Sequence, residues 1–481
     1  MLKNFIQKYS NIVFFGYGLI ILIALVLGLI FNQWAIFLIP VVLLFIAIGF
    51  YDFRWLYFLL ILVMPLSVEV SLPGGFSTDL PTEPIVIGLM LIFVFTVCLK
   101  PFILKGDFFM HPISILLVIH YGWILSTSIF STDFVLSLKF LLSKFWYLSV
   151  FYFLSGLVIL NEKILKSIIW IIFVPTILGI IVILKRHSNY GFLFEYINQA
   201  VVPIYRNHVN YGVFITMMVP LMVMGRFWYK RGTIIRLIWD LGIIITLVGI
   251  YFTYTRGAWL ALLACPIIYI IVKRHRMKQV LMASALSVIL LFGYLISNQN
   301  YLKFAPNYER TIYHANLKDH LVSTFSGQDM STMERFYRWV AAFNMVGEKP
   351  LFGFGPNTFV KNYKSYTVSR FVTYISRNEE NSTVHNYFIL LLAEQGIPGM
   401  LIFAFWIFLI LVYAEKIFHQ QKTNKDKWIV MGSLLCVCVF LINNLFSDLL
   451  EANKLAPMFL IMVAILVNWD IKSKSEMPVS L

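Results

Sequence analysis

Apolar stretches long enough to cross a bilayer recur along almost the whole chain, and they constrain its fold before any single residue is considered. In hydrocarbon, backbone N–H and C=O groups find no water, so such a stretch must satisfy them internally as a helix. About 20 residues cover that thickness. By this measure about fourteen segments are expected, near 12–31, 34–50, 54–71, 84–104, 112–130, 139–160, 164–184, 208–225, 234–254, 257–273, 279–297, 398–415, 428–447 and 455–470. The expected fold class is all-α, a polytopic membrane protein of about 12–14 transmembrane helices with one large outer-face loop containing short helices. Composition agrees. Of 481 residues 60% are hydrophobic and 13% charged, too little polar surface to coat a water-soluble domain.

A net charge of +15 would suggest nucleic acid in a soluble protein. Here Lys and Arg gather in alternate short loops, at GRFWYKRGTIIR (225–236), VKRHRMK (272–278) and EKIFHQQKTNKDK (415–427), which instead sets orientation in the membrane. The alternation places both termini in the cytoplasm and expects a multi-pass protein of the cytoplasmic (cell) membrane, with no nucleic-acid partner. Lys139 and Lys454 fall at outer boundaries as exceptions. The first segment lacks a small-residue cleavage site and reads as a retained anchor. Cys98, Cys265, Cys436 and Cys438 lie inside apolar runs without metal-ligand spacing, so core thiols are expected, and no metal or other cofactor.

One polar interval interrupts the pattern. The chain divides into N-terminal transmembrane helices (1–206), central helices (207–297), a large extracytoplasmic loop (298–384) and C-terminal transmembrane helices (385–481). Within the loop, MERFYRWVAAFNMVGE spaces its apolar residues as an amphipathic helix, and KPLFGFGPNTFVKNY reads as a turn broken by Pro and Gly. No strand is expected before its GFG, which argues against a nucleotide loop.

Three helices are expected to begin on the outer side, near Asn210, Gly257 and Val384. Helix N-termini carry unpaired N–H groups and partial positive charge, which attract anions. Arg206, with Asn207 and His208, leads into the first. Arg256 follows Thr255 at the second, in a tight turn where an ionisable residue is a functional candidate. His385 follows Asn381, Ser382 and Thr383 at the third, whose opening turns are expected to break at GIPG before the spanning segment. If these ends converge, they form an outward-facing pocket for a diphosphate with one imidazole beside it. Blander roles also fit: Arg206 as an interfacial arginine reaching headgroups, His385 as a cap or core residue. His314 and His320 read as solvated, while His187 and His208 stay open.

The segment FTYTRGAWLALLA resembles the tight-turn arginine motif of the O-antigen ligase and polysaccharide polymerase superfamily. RFYRW (Arg335 to Trp339) followed by KPLFGFGPNTF is similar to that family's Arg-x-x-x-Trp helix and Pro-Leu-x-Gly-x-Gly turn. STVHNYFILLLAEQGIPGM resembles its His-Asn…Glu-x-Gly-x-x-Gly block, and IYRNHVNYGVF a looser Arg-Asn-Gly segment. The resemblance implies an integral membrane glycosyltransferase that is metal-independent. It would move a glycan from a polyprenyl (undecaprenyl) diphosphate to an acceptor hydroxyl on a glycan, lipid or other molecule, at the outer membrane face among membrane lipids. On that footing Arg256 and Arg206 are expected to bind the diphosphate, with Arg256 also catalytic. Arg offers a planar fork for phosphate and stabilises developing charge. His385 is the expected general base, kept neutral by a helix N-terminus and nearby arginines. Arg335 and Asn386 are candidate loop or substrate contacts, Asn386 and Glu394 also helix-orienting residues. Tyr374, Tyr366 and Trp339 offer rings for sugar stacking. Polymerase is slightly favoured over ligase, since nothing points to a protein acceptor. The rival classes are a transporter or flippase of lipid-linked sugars and a membrane scaffold. A transporter is expected to carry midplane charges and paired repeats, whereas Asp240 stands near an inner boundary.

Overall fold

The computed structural model describes residues 10–31, 33, 36, 38–72, 76–297, 300, 330–368 and 382–475. They form a bundle of helices: α1 Ser10–Phe31, α2 Leu38–Val63, α3 Thr82–Leu99, α4 Pro112–Ile129, α5 Phe134–Leu148, α6 Glu162–Ser188, α7 His208–Phe227 and α8 Ile234–Tyr251. There follow α9 Arg256–Lys273, α10 Met277–Ile296, α11 Met330–Glu348, α12 Tyr387–Gln420, α13 Asn424–Asn444 and α14 Leu455–Ser475. Among the described residues eleven helices are long and apolar enough to cross a membrane, or twelve with the bent α2 counted as one span. The all-α polytopic fold holds.

The early segments differ in detail from the hydropathy reading. Segments 34–50 and 54–71 merge into α2, which bends at Asp52, whose backbone leaves the helical region (φ −158°, ψ 103°). The second segment also stops early. Pro65 lies in a tight turn, Met64–Leu66, and VEVSL then alternates apolar and polar residues with the period of a strand. That strand, β1 (Val68–Leu72), pairs antiparallel with β2 (Phe76–Leu80), Val68 opposite Leu80.

Burial separates interior from rim. Most of α7, α13 and α14 is buried, whereas the apolar length of α10 is wholly uncovered among the described residues. Leu286, Ile289 and Leu290 on α10 are more than half exposed. A helix apolar all round and open on its flanks needs lipid against it. At the centre stands α13, which packs on α7, α9, α12 and α14. Lys454, out of place by charge alternation, is buried and donates to the Pro65 and Ser67 carbonyls at 3.2 and 2.8 Å. It is a structural tie and not a loop charge. Cys436 and Cys438 are core thiols, but Cys98 is exposed.

Two features, one in the long polar interval and one just after it, shape the site. α11 buries Met333, Tyr337, Ala341 and Met345, four residues at i, i+4 spacing, and it packs on α12. α12 is broken at Gly396, as the GIPG motif predicts: φ is 72° there and Pro398 follows. A β-carbon at Gly396 would lie 2.1 Å from the Leu351 carbonyl, so only glycine lets the 350–355 turn dock on the break.

Candidate active site

The starts of α7, α9 and α12 gather around the C-terminal end of α13. Thr255, just ahead of α9, donates its hydroxyl to the His208 carbonyl at 3.2 Å, which joins α9 to the first residue of α7. Gly257 presses on α13: a β-carbon there would lie 2.6 Å from Asn443 Oδ1. Asn386 caps α12 by accepting from Ile389 N (3.0 Å) and donates its amide to the Leu445 carbonyl just past α13 (3.0 Å). Three positive helix ends therefore surround one negative helix end.

His385 sits two residues ahead of α12 with φ 56°, a left-handed conformation rarely adopted by a residue with a β-carbon. α11 holds the backbone that forces it there. Arg338 Nη1 donates to the Thr383 carbonyl at 3.1 Å and Trp339 Nε1 to the Val384 carbonyl at 3.0 Å. Arg338 and Val384 are both buried. Tyr254, two residues before Arg256, is also left-handed (φ 55°), and Thr253 Oγ1 accepts from Thr255 N across that turn. Backbone strain at such positions costs about 1–3 kcal/mol each and persists only where the surroundings enforce it.

The electrostatics centre on the imidazole. Asp448 Oδ1 lies 4.0 Å from His385 Nδ1. Asp448 is fixed by its neighbour Leu449, whose N–H bonds the side-chain oxygen of buried Asn444 at 2.9 Å. Burial pushes the His385 pKa down to about 4; Asp448 opposes this, while Arg338 and Arg335 push it further down. The side chain keeps 33% exposure, so water screens part of each charge. A neutral ring results at neutral pH. A carboxylate beside Nδ1 favours the proton there and leaves the Nε2 lone pair for chemistry.

The predicted residues fall into two groups. His385, Asn386 and Arg335 form one cluster with Arg338 and Asp448. Arg256 opens α9 half-buried and joins that cluster through Gly257, Asn443 and Leu445. Arg206 is exposed and stands two residues before His208, on the approach to the group. Glu394 is buried and its two oxygens accept from Asn357 N (2.8 Å) and Phe359 N (3.0 Å), clamping the Pro-Gly turn to α12. His187 and His208 have structural partners, the Leu193 carbonyl and Asn198 Oδ1, each at 2.9 Å. Trp339 is engaged as a side-chain donor to the Val384 carbonyl, and Tyr366 bonds Glu348 at 2.5 Å. Tyr374, Asn381, His314 and His320 lie outside the described residues.

Sequence reasoning passed over Arg338 and Asp448. Arg338 had a signal: it lies three residues from Arg335 on a helix, so the two share a face. Asp448 had a weaker one, an acid in the short loop between the last two spans.

Residues 241–404, about a third of the chain, match the family model described as O-Antigen ligase. The match supports the O-antigen ligase and polysaccharide polymerase superfamily. It covers Arg256, Arg335, His385, Asn386 and Glu394, and leaves Arg206 and Asp448 outside. No curated protein matches the chain.

Proposed function

We propose that this protein is a glycosyltransferase that moves a glycan from a polyprenyl-diphosphate carrier to an acceptor hydroxyl, at the outer face of the cytoplasmic membrane. The observation that carries this reading is His385, neutral and half-buried, held left-handed by α11 among three helix N-termini. In the reaction His385 takes the proton of the acceptor hydroxyl. The freed oxygen bonds to the anomeric carbon, and the bond from that carbon to the diphosphate breaks, its electron pair leaving with the diphosphate. Arg256, the start of α9 and Arg206 on the approach stabilise the charge that develops on the leaving group. Asp448 stabilises the imidazolium that forms. Arg335 and Arg338, which add to burial in keeping the ring neutral in the free enzyme, also supply positive charge beside an arriving diphosphate. The dianion raises the basicity of His385 when it binds, so the base strengthens once substrate is present.

Purified protein in proteoliposomes with a synthetic polyprenyl-diphosphate oligosaccharide tests the reading. Transfer in the wild type, lost in His385→Ala with insertion and thermal stability unchanged, is the expected result. Movement of the lipid-linked sugar between leaflets without any new glycosidic bond would replace this reading with the transporter.

A further inference from the structure

A groove lined by charged and polar side chains opens at the opposite end of the bundle, between the end of α12 and the turn linking α9 to α10. α9 has 18 residues, about 27 Å at 1.5 Å per residue, so this end lies about one hydrocarbon thickness from Arg256. It is an open groove of about 470 Å³, and its lining includes His275, Lys278, Glu415, Lys416, His419 and Gln420. That volume is within the range of small-molecule sites.

The turn is built in an unusual way. Arg276 N donates to the Ile271 carbonyl and His275 N to the Val272 carbonyl, each at 3.1 Å, the Schellman pattern of helix ends. Its left-handed position usually holds glycine, yet here it is His275 (φ 53°). The His275 ring stacks on His419 with centroids 3.4 Å apart, and His419 Nε2 donates to the Val272 carbonyl at 2.8 Å. A strained backbone thus carries an imidazole wall onto the groove. Glu415 is the acid in the lining, and its Oε1 already accepts from Met277 N, the first amide of α10, at 2.9 Å. Lys278 and Lys416 are exposed. Among the described residues, the buried Gln420 Oε1 has no hydrogen-bond partner. Beside the groove the exposed apolar flank of α10 begins with Val280 and Met282.

We propose that this groove binds a phosphate group, gripped by Lys278 and Lys416 against the stacked imidazoles, at a site separate from the glycosyl-transfer centre. Two lysines against one carboxylate already bonded select an anion. The unsatisfied Gln420 oxygen accepts a hydroxyl or ammonium attached to it. The apolar flank of α10 favours a phospholipid headgroup, whose acyl chains lie along Val280 and Met282, over a free phosphate.

The test uses the full-length protein in detergent and reads its unfolding temperature by tryptophan fluorescence against two probes, dihexanoyl phosphatidylglycerol and inorganic phosphate. The lipid raises the wild-type unfolding temperature saturably. Its midpoint concentration rises about 30-fold in the Lys278→Ala/Lys416→Ala variant, the loss expected for two interfacial lysine–phosphate contacts. His275→Gly restores the residue type the turn prefers while removing one of the two stacked imidazoles, so it folds and still weakens lipid binding. Equal midpoints for lipid and inorganic phosphate, both lysine-dependent, identify a soluble phosphate as the occupant. Stabilisation of the wild type by neither probe, or midpoints unchanged in the lysine variant, overturns the proposal. His385→Ala leaves the midpoint unchanged, because this site does not depend on the transfer reaction.

Discussion

Replacing Trp339 with phenylalanine deletes one hydrogen-bond donor and keeps an aromatic face, and this small change should disable His385 from a distance. The indole Nε1 donates to the Val384 carbonyl at 3.0 Å, and Val384 is 0% exposed. Without that donor a buried carbonyl goes unpaired, which costs about 1–3 kcal/mol. The next residue is already left-handed at φ 56°, a placement that costs a residue with a β-carbon about 1–2 kcal/mol. Arg338 on the Thr383 carbonyl would still hold this segment to α11. The competent arrangement loses about 1–3 kcal/mol against relaxed ones, so kcat falls roughly 5- to 150-fold. KM for the donor stays within about twofold, because uniform binding is untouched. Initial rates of transfer by purified protein, with the lipid-linked donor varied, measure both quantities. A sugar-stacking role for Trp339 predicts the reverse: Trp339→Phe near wild type and Trp339→Ala raised in KM. Wild-type kcat in a correctly folded Trp339→Phe protein would refute the clamp.

The remaining outcomes follow from the same geometry. His385→Ala lowers kcat by about 10²- to 10⁴-fold, the usual contribution of a general base, with the unfolding temperature unchanged. Arg256→Lys keeps the charge but loses the planar fork, and transfer falls by about tenfold or more in single-turnover assays. Because burial, Arg338 and Arg335 hold the His385 pKa down at about 4 against Asp448, kcat/KM in a pH series stays flat to about pH 5 and falls near 4; Arg335→Gln removes a repelling charge and moves that midpoint up. The unfolded chain binds this proton more tightly than the folded one, so the His385 contribution to stability is lost as pH falls from about 6.5 to about 4, visible in denaturant midpoints. Gly257→Ala, whose new β-carbon would meet Asn443 Oδ1 at 2.6 Å, separates α9 from α13 and destabilises the protein by about 1–3 kcal/mol in denaturant unfolding.

Much of the architecture was legible because membrane helices are specified locally. The apolar runs fell where α3 to α10 and α12 to α14 formed, and the helical spacing of apolar residues in MERFYRWVAAFNMVGE predicted α11. The break at Gly396 was equally visible from its Gly-Ile-Pro-Gly sequence. Misreadings arose where hydropathy outvoted a subtler pattern. VEVSL is apolar enough to extend a helix, but its alternation made it β1. Lys454 looked like a misplaced loop charge until the Pro65 and Ser67 carbonyls appeared as its partners.

Hydrophobicity alone determined that this chain is a membrane bundle, that a polar interval with one amphipathic helix interrupts it, and that histidine and arginine stand at helix starts. Each of these depends on residues within one or two helical turns of each other. The tertiary structure decided the rest: that Arg338 and Trp339 reach across 45 residues to set His385, that Asp448 answers its imidazole, and that Gly257 and Asn386 bring α9 and α12 against the end of α13. A side chain's hydrogen-bond partner is chosen by packing between distant segments, and no local period along the chain encodes that choice.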